Sequence, residues 1–186
     1  YVNDFDLNGR VEQIICTYDG DTAYPLALKH DLVRQLPSLD QKLSTYEIYK
    51  GKTVADLFPP GVVENSVYLE AHLMETSIFL NDGTGHYTRG VLPAEVQFSP
   101  VMSIETGDYN GDGHLDMVMG GNLYHVKPEV GRYDASYGTV LTGDGNGGFR
   151  NIPKTSSGFW LEGEVRDLVE ITTGSERLLV VARNNN

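Results

Sequence analysis

Residues 107–122 read GDYNGDGHLDMVMGGN, and this stretch limits the fold more tightly than any other. Asp108, Asn110, Asp112 and Asp116 stand at loop positions one, three, five and nine, while Gly111 and Gly113 let the backbone curl around a common centre. Side chains that offer oxygen, with no cysteine or imidazole nitrogen among them, suit a hard cation. The expected occupant is Ca²⁺, with the main-chain carbonyl of His114 at position seven as one more oxygen and the His114 ring turned outward.

The first half of this loop resembles that of an EF-hand, but position twelve holds Met119 where an EF-hand carries a bidentate Glu. The run Met117-Val118-Met119-Gly120-Gly121 is short, apolar and ended by glycines, as in a buried strand. Residues 101–106 alternate with period two. The loop is therefore expected between two strands; the competing reading is an Asp/Asn/Gly turn that caps its own backbone without a metal.

The pattern recurs. Residues 4–12, DFDLNGRVE, place Asp4, Asp6, Asn8, the carbonyl of Arg10 and Glu12 at the same five positions, leading into a strand expected over 11–17. Two strand-turn-strand hairpins are expected around the glycine-rich turns 81–85 and 143–148, neither of which is followed by the lysine of a phosphate-binding loop. A third copy is expected to keep its strands, 165–170 and 178–184, and to have lost the carboxylates from its loop, 171–177. Self-similarity at this spacing marks a repeat protein. The expected organisation is one domain of three repeats, 1–92, 93–152 and 153–186, the last truncated.

Residues 19–60 depart from the strand pattern. Helical spacing is expected over 25–36 and 39–49, with a short helical turn at 53–58 stopped by Pro59-Pro60-Gly61. Tyr46, Tyr49 and Phe58 are expected to pack this helical insertion onto the sheet. The single cysteine, Cys16, excludes an internal disulfide and reads as a core thiol.

The formal net charge of −12 argues against nucleic acid or an anionic membrane surface as partner, and no apolar run is long enough to span a bilayer. Because residue 1 falls within a motif, the chain is expected to be a piece of a longer protein.

A D-x-[DN]-x-[DN]-G-x-x-[DE] loop between two strands, followed by an asparagine- or aspartate-glycine hairpin, resembles the FG-GAP or VCBS repeats that form blades of integrin-alpha-like β-propellers. Residues 131–138, 158–168 and 180–185 are more narrowly similar to bacterial VCBS-repeat proteins of the ASPIC and UnbV group. The resemblance implies a mainly β fold, a partial β-propeller with a helical insertion, calcium at both loops, and an exported location at the cell surface, in the periplasm or outside the cell. It further implies a non-catalytic binding or scaffold role toward a protein or glycan. Three incomplete repeats do not close a propeller, so open sheet edges are expected to favour self-association.

The rival expectation is a hydrolase of phosphate esters or polysaccharide that uses Asp134, flanked by Arg132 and Tyr133, with His72, His86, His114 or His125. No nucleophile with its base is recognisable in the sequence. Trp160, the only tryptophan, is expected to fill space between blades in preference to stacking on a sugar.

Overall fold

The structure, a computed structural model, describes residues 1–128 and 130–184. They are mainly β, in small antiparallel sheets, and among them no closed barrel or propeller is formed. The chain divides into two compact units, Tyr1–His72 and Leu73–Asn186. That boundary lies within the stretch expected as the first repeat, so the hairpin around residues 81–85 belongs to the second unit.

In the first unit, strands β1 (Val2–Asn3) and β2 (Glu12–Gln13) pair on either side of the first loop, and β3 (Cys16–Asp19) pairs with β4 (Thr22–Pro25). The strand expected over 11–17 is split because the chain changes partner midway. The Ile14 N–H donates to the Tyr1 carbonyl, whereas the Ile15 carbonyl accepts from Leu26. β4 also takes Pro25, the first residue of the stretch expected to be helical.

Helix begins only at α1 (Lys29–Gln35) and stops before Pro37, as the missing proline N–H requires. Three short helices follow: α2 (Tyr46–Tyr49), α3 (Val54–Leu57) and α4 (Pro60–Glu64). A Thr53–Asp56 capping box opens α3, each side chain accepting from the other residue's backbone N–H. α3 ends at Leu57, before Pro59 as expected, but the same prolines also open α4, which was not expected: Pro60 at the first helical position has its φ already set and needs no N–H partner.

The stretch 29–58, helices with the turns that join them, is no accessory to the unit: Leu32, Leu36, Leu39, Leu43, Val54, Leu57 and Phe58 form its buried core, with Phe5 from the first loop and Ile14 from between β2 and β3. Phe5 meets Phe58 ring to ring at 4.6 Å, so the first loop is seated directly on the helical core. Tyr49 packs at the core edge and donates to the Ala27 carbonyl. Tyr46, expected to pack inward, is exposed and bonds His30. Cys16 is partly buried, and that burial raises its pKa.

The second unit opens with the hairpin β5 (Ile78–Asn81) and β6 (Tyr87–Gly90). Strands β7 (Val101–Gly107), β8 (Asp116–Gly121), β9 (Thr139–Gly143) and β10 (Phe149–Ile152) then form a four-stranded antiparallel meander. After the short helix α5 (Lys154–Ser157), β11 (Glu164–Thr173) and β12 (Glu176–Asn184) make a long hairpin.

β8 is covered on both faces, which accounts for its unbroken apolar run. Met119 joins Val96 and Leu141 on one face, and Val118 joins Val165 and Leu168 from β11 on the other. Its two glycines are places of close approach: a Cβ on Gly120 would meet Val165, and one on Gly121 would fall on the Pro100 carbonyl. The loop expected over 171–177 is instead ladder. Ile171, Thr172 and Thr173 pair with Leu178, Arg177 and Glu176, leaving Gly174 and Ser175 as a two-residue turn, with Gly174 at φ 64°.

Candidate metal centre

The two loops share a frame of four hydrogen bonds. In the first, Asp4 accepts from the N–H groups of Asn8 and Gly9 at 2.9 and 2.7 Å, Asn8 accepts from Arg10 at 2.8 Å, and Glu12 accepts from Phe5 at 3.1 Å. In the second, Asp108 accepts from Asp112 and Gly113 at 3.2 and 2.9 Å, Asp112 from His114 at 2.8 Å, and Asp116 from Tyr109 at 3.0 Å. Position one thus ties positions five and six, position five ties seven, and position nine reaches back to two. Glu12 makes the same return bond as Asp116 despite its extra methylene.

Both loops need the left-handed backbone region at the same two positions. Gly111 and Gly113 supply it in the second loop, at φ 81° and 84°. The first has Gly9 at 85° but Leu7 at 59°, an unusual state for a branched side chain.

The carboxylates differ in how fully they are used. Both oxygens of Asp116, a completely buried residue, are committed, one to Tyr109 and the other to the Gly143 N–H at 3.0 Å, which joins the loop to β9. Asn110 accepts from the Asp112 N–H and donates to the Asp112 carboxylate, both at 2.8 Å. The N–H of Gly113, with those of Gly111 and Asp112, holds the Asp108 carboxyl below the usual carboxylate range. In the first loop, by contrast, Asp6 keeps one buried carboxylate oxygen with no hydrogen-bond partner.

One oxygen each from Asp4, Asp6 and Glu12 lies within 4.8 Å of the others, and this is the one such acidic group among the described residues; Asp108, Asp112 and Asp116 do not form another. Three oxygen donors drawn together, one of them buried and unsatisfied, fit a hard cation. The first loop, the less regular in sequence, is therefore the better assembled for a metal.

An arginine that the sequence reading missed braces the second loop. Arg177 donates through Nη1 to the Asp108 carbonyl at 2.9 Å, grips Glu170 through Nε and Nη2 at 2.9 and 2.7 Å, and lies over the Tyr109 ring. The His114 ring does not point away from the molecule; it lies against Gly145 in the turn between β9 and β10.

The glycine-rich turns are filled by their own aspartates. Asp144 accepts from the N–H groups of Asn146 and Gly148 at 2.8 and 2.9 Å, and Asp82 accepts from Thr84 at 2.7 Å. A phosphate there would meet a carboxylate. Of the residues considered for hydrolysis, Asp134 is exposed, Arg132 lies over Tyr124, His72 pairs with Glu70 and His125 stands 3.8 Å from Glu164.

A further polar knot, unforeseen in sequence, lies beside the meander. Glu164 is completely buried and accepts from the Tyr124 N–H at 3.0 Å, from Arg166 and from Asn184. The Asn122 amide, at φ 83°, ties Ser136 to Gly163. Asn122 bears the signal such a residue can give, an asparagine after paired glycines where a left-handed turn is needed. Among the described residues no helix is long and apolar enough to cross a membrane. Comparison with known protein-family models, with curated proteins and with solved structures finds no match for this chain.

Proposed function

We propose that the chain is a non-catalytic, calcium-stabilised binding or scaffold module built from FG-GAP/VCBS-type blades, part of a β-propeller, in an exported protein. The observation that carries this reading is the frame of four hydrogen bonds that the two loops share, together with the unsatisfied Asp6 oxygen in one of them. The meander β7–β10, with its metal-type loop between the first two strands and its glycine hairpin between the last two, has the layout expected of a blade.

The residues that would hold Ca²⁺ are Asp4, Asp6, Asn8, Glu12 and the Arg10 carbonyl in the first loop, and Asp108, Asn110, Asp112, Asp116 and the His114 carbonyl in the second. Bound calcium would supply the positive charge that offsets repulsion among the clustered carboxylates, and so couple ion binding to folding. Recognition of a protein or glycan falls to surfaces away from the loops, and exposed strand edges offer a route to self-association.

Thermal melting in calcium and in EGTA tests the calcium reading. Calcium is expected to raise the melting temperature, with Asp6→Ala and Asp112→Ala each removing part of the rise. Identical curves in the two buffers would refute it.

A further inference from the structure

We infer that the cleft around Trp160, Tyr137 and Lys154 binds a saccharide bearing a single carboxylate group. Trp160 does not fill the interior: its side chain is 58% exposed, and Phe98, on the same cleft of about 490 Å³, is 57% exposed. A cavity of this size falls in the range of small-ligand sites.

The aromatic platform is held in place before any ligand arrives. The Trp160 and Tyr137 ring centroids lie 4.7 Å apart with planes tilted by 37°. The Leu161 N–H donates to the Tyr137 carbonyl at 2.9 Å, locking the two segments together, and Trp160 Nε1 donates to Glu162 at 3.0 Å, fixing the indole. Phe159 fills the space beside Gly138, where a Cβ would collide with its ring. Rigid, exposed aromatic faces lower the ordering cost of binding and suit the C–H faces of a sugar ring.

Lys154 adds the selectivity. Its ammonium stands 4.1 Å from the Tyr137 centroid and 4.4 Å from that of Trp160, and it makes no ion pair among the described residues. Glu95 also lines the cleft but does not pair with Lys154, so in a chain of net charge −12 a cation between two rings with no carboxylate at ion-pair distance is a position for an anionic group brought by a ligand. The same net charge repels a polyanion, so one carboxylate on an otherwise neutral glycan fits better than a polyuronate. Asn151 and Ser157 line the cleft with groups able to bond hydroxyls.

This proposal rests on the reading of the chain as a binding module and is independent of calcium. Because Trp160 is the only tryptophan, its emission reports cleft occupancy directly. The chain would be titrated with a glucuronate-terminated disaccharide, its glucose-terminated counterpart and a short acidic peptide, each in calcium and in EGTA.

The expected result is a saturable change for the acidic sugar with affinity about tenfold above the neutral one, the scale of one charge-assisted hydrogen bond. Lys154→Met brings the acidic sugar to the neutral level while keeping a cooperative melt, and Lys154→Arg retains the preference. No saturable change, equal affinity for the two sugars, or a response to the peptide alone overturns the proposal. A preserved sugar preference alongside identical melting curves in calcium and EGTA would overturn the calcium reading and leave this one standing.

Discussion

Asp6 and Asn110 occupy the same third position of two loops that share four hydrogen bonds, yet Asp6 keeps a buried oxygen without a partner whereas Asn110 accepts through its Oδ1 from the Asp112 N–H. An unpartnered carboxylate near two others is unfavourable without a cation and favourable with one. Asp6→Asn should therefore change sign with buffer: neutral or stabilising in EGTA, destabilising in calcium. At a calcium concentration of about 100 times Kd, one site contributes about 2.7 kcal/mol, most of which the variant should lose. Melting in both buffers checks this, and destabilisation of equal size in the two would count against the metal.

Leu7 holds φ 59° with its side chain 78% exposed, so nothing in its packing offsets the left-handed conformation. Leu7→Gly, which makes the first loop match Gly111 of the second, should stabilise the unit by about 1 kcal/mol. Chemical denaturation in EGTA is the suitable measurement, because metal binding then does not mask the backbone effect.

Asp116 satisfies two backbone donors from different segments, Tyr109 in the loop and Gly143 in β9. Asp116→Ala strands both partly buried donors, and at about 1–3 kcal/mol for each orphaned group the loss should reach about 2–6 kcal/mol. Urea unfolding of the variant measures it in EGTA, where a loss below this range would make the carboxylate a metal ligand first and a structural link second.

What could be read from sequence was what local spacing dictates. Both loops, both glycine hairpins and the buried strand β8 follow from positions of Asp, Asn, Gly and apolar residues within about ten residues of each other. The partner change between Ile14 and Ile15 was not legible, because it depends on which distant strand each residue meets. Nor was the dominance of the helices in the first core: their amphipathic spacing was visible, but what Leu32 and Leu43 pack against was not. The prolines at 59 and 60 gave the end of α3 but not the start of α4, because proline both stops and starts helices and its place in the turn decides which. Arg177 lies 69 residues from the carbonyl it braces, and no short-range signal points there.

Acid should weaken the second unit. The N–H of Gly113 lowers the Asp108 pKa, those of Asn146 and Gly148 lower that of Asp144, the N–H of Tyr124 lowers that of Glu164, and the Arg177 side chain lowers that of Glu170. Each folded-state pKa lies below its ordinary value of 3.8 or 4.5, so the stability contributed is fully present above those values and is lost as pH falls through the depressed ones. Trp160 emission, which reports the second unit, should show a melting temperature that is level near neutrality and falls steeply below about pH 4. Glu164→Gln should start lower at neutral pH and fall less on acidification; an unaltered slope would exclude Glu164 from the effect.

Arg177 gives the second loop a brace that does not depend on a metal, since the guanidinium links the Asp108 carbonyl to Glu170 and covers the Tyr109 ring. A fixed positive charge beside the loop also offsets part of its acidity, as a bound ion would. Hydrogen exchange in EGTA should therefore find the Asp112, Gly113 and His114 amides of the native chain still protected, because Asp108 and Asp112 remain positioned to accept from them. Arg177→Met should expose these amides in EGTA and have a smaller effect in calcium, where the ion takes over the bracing. Equal protection in the variant and the native chain without calcium would show that the loop's own hydrogen bonds suffice, and that the arginine serves only to pair Glu170.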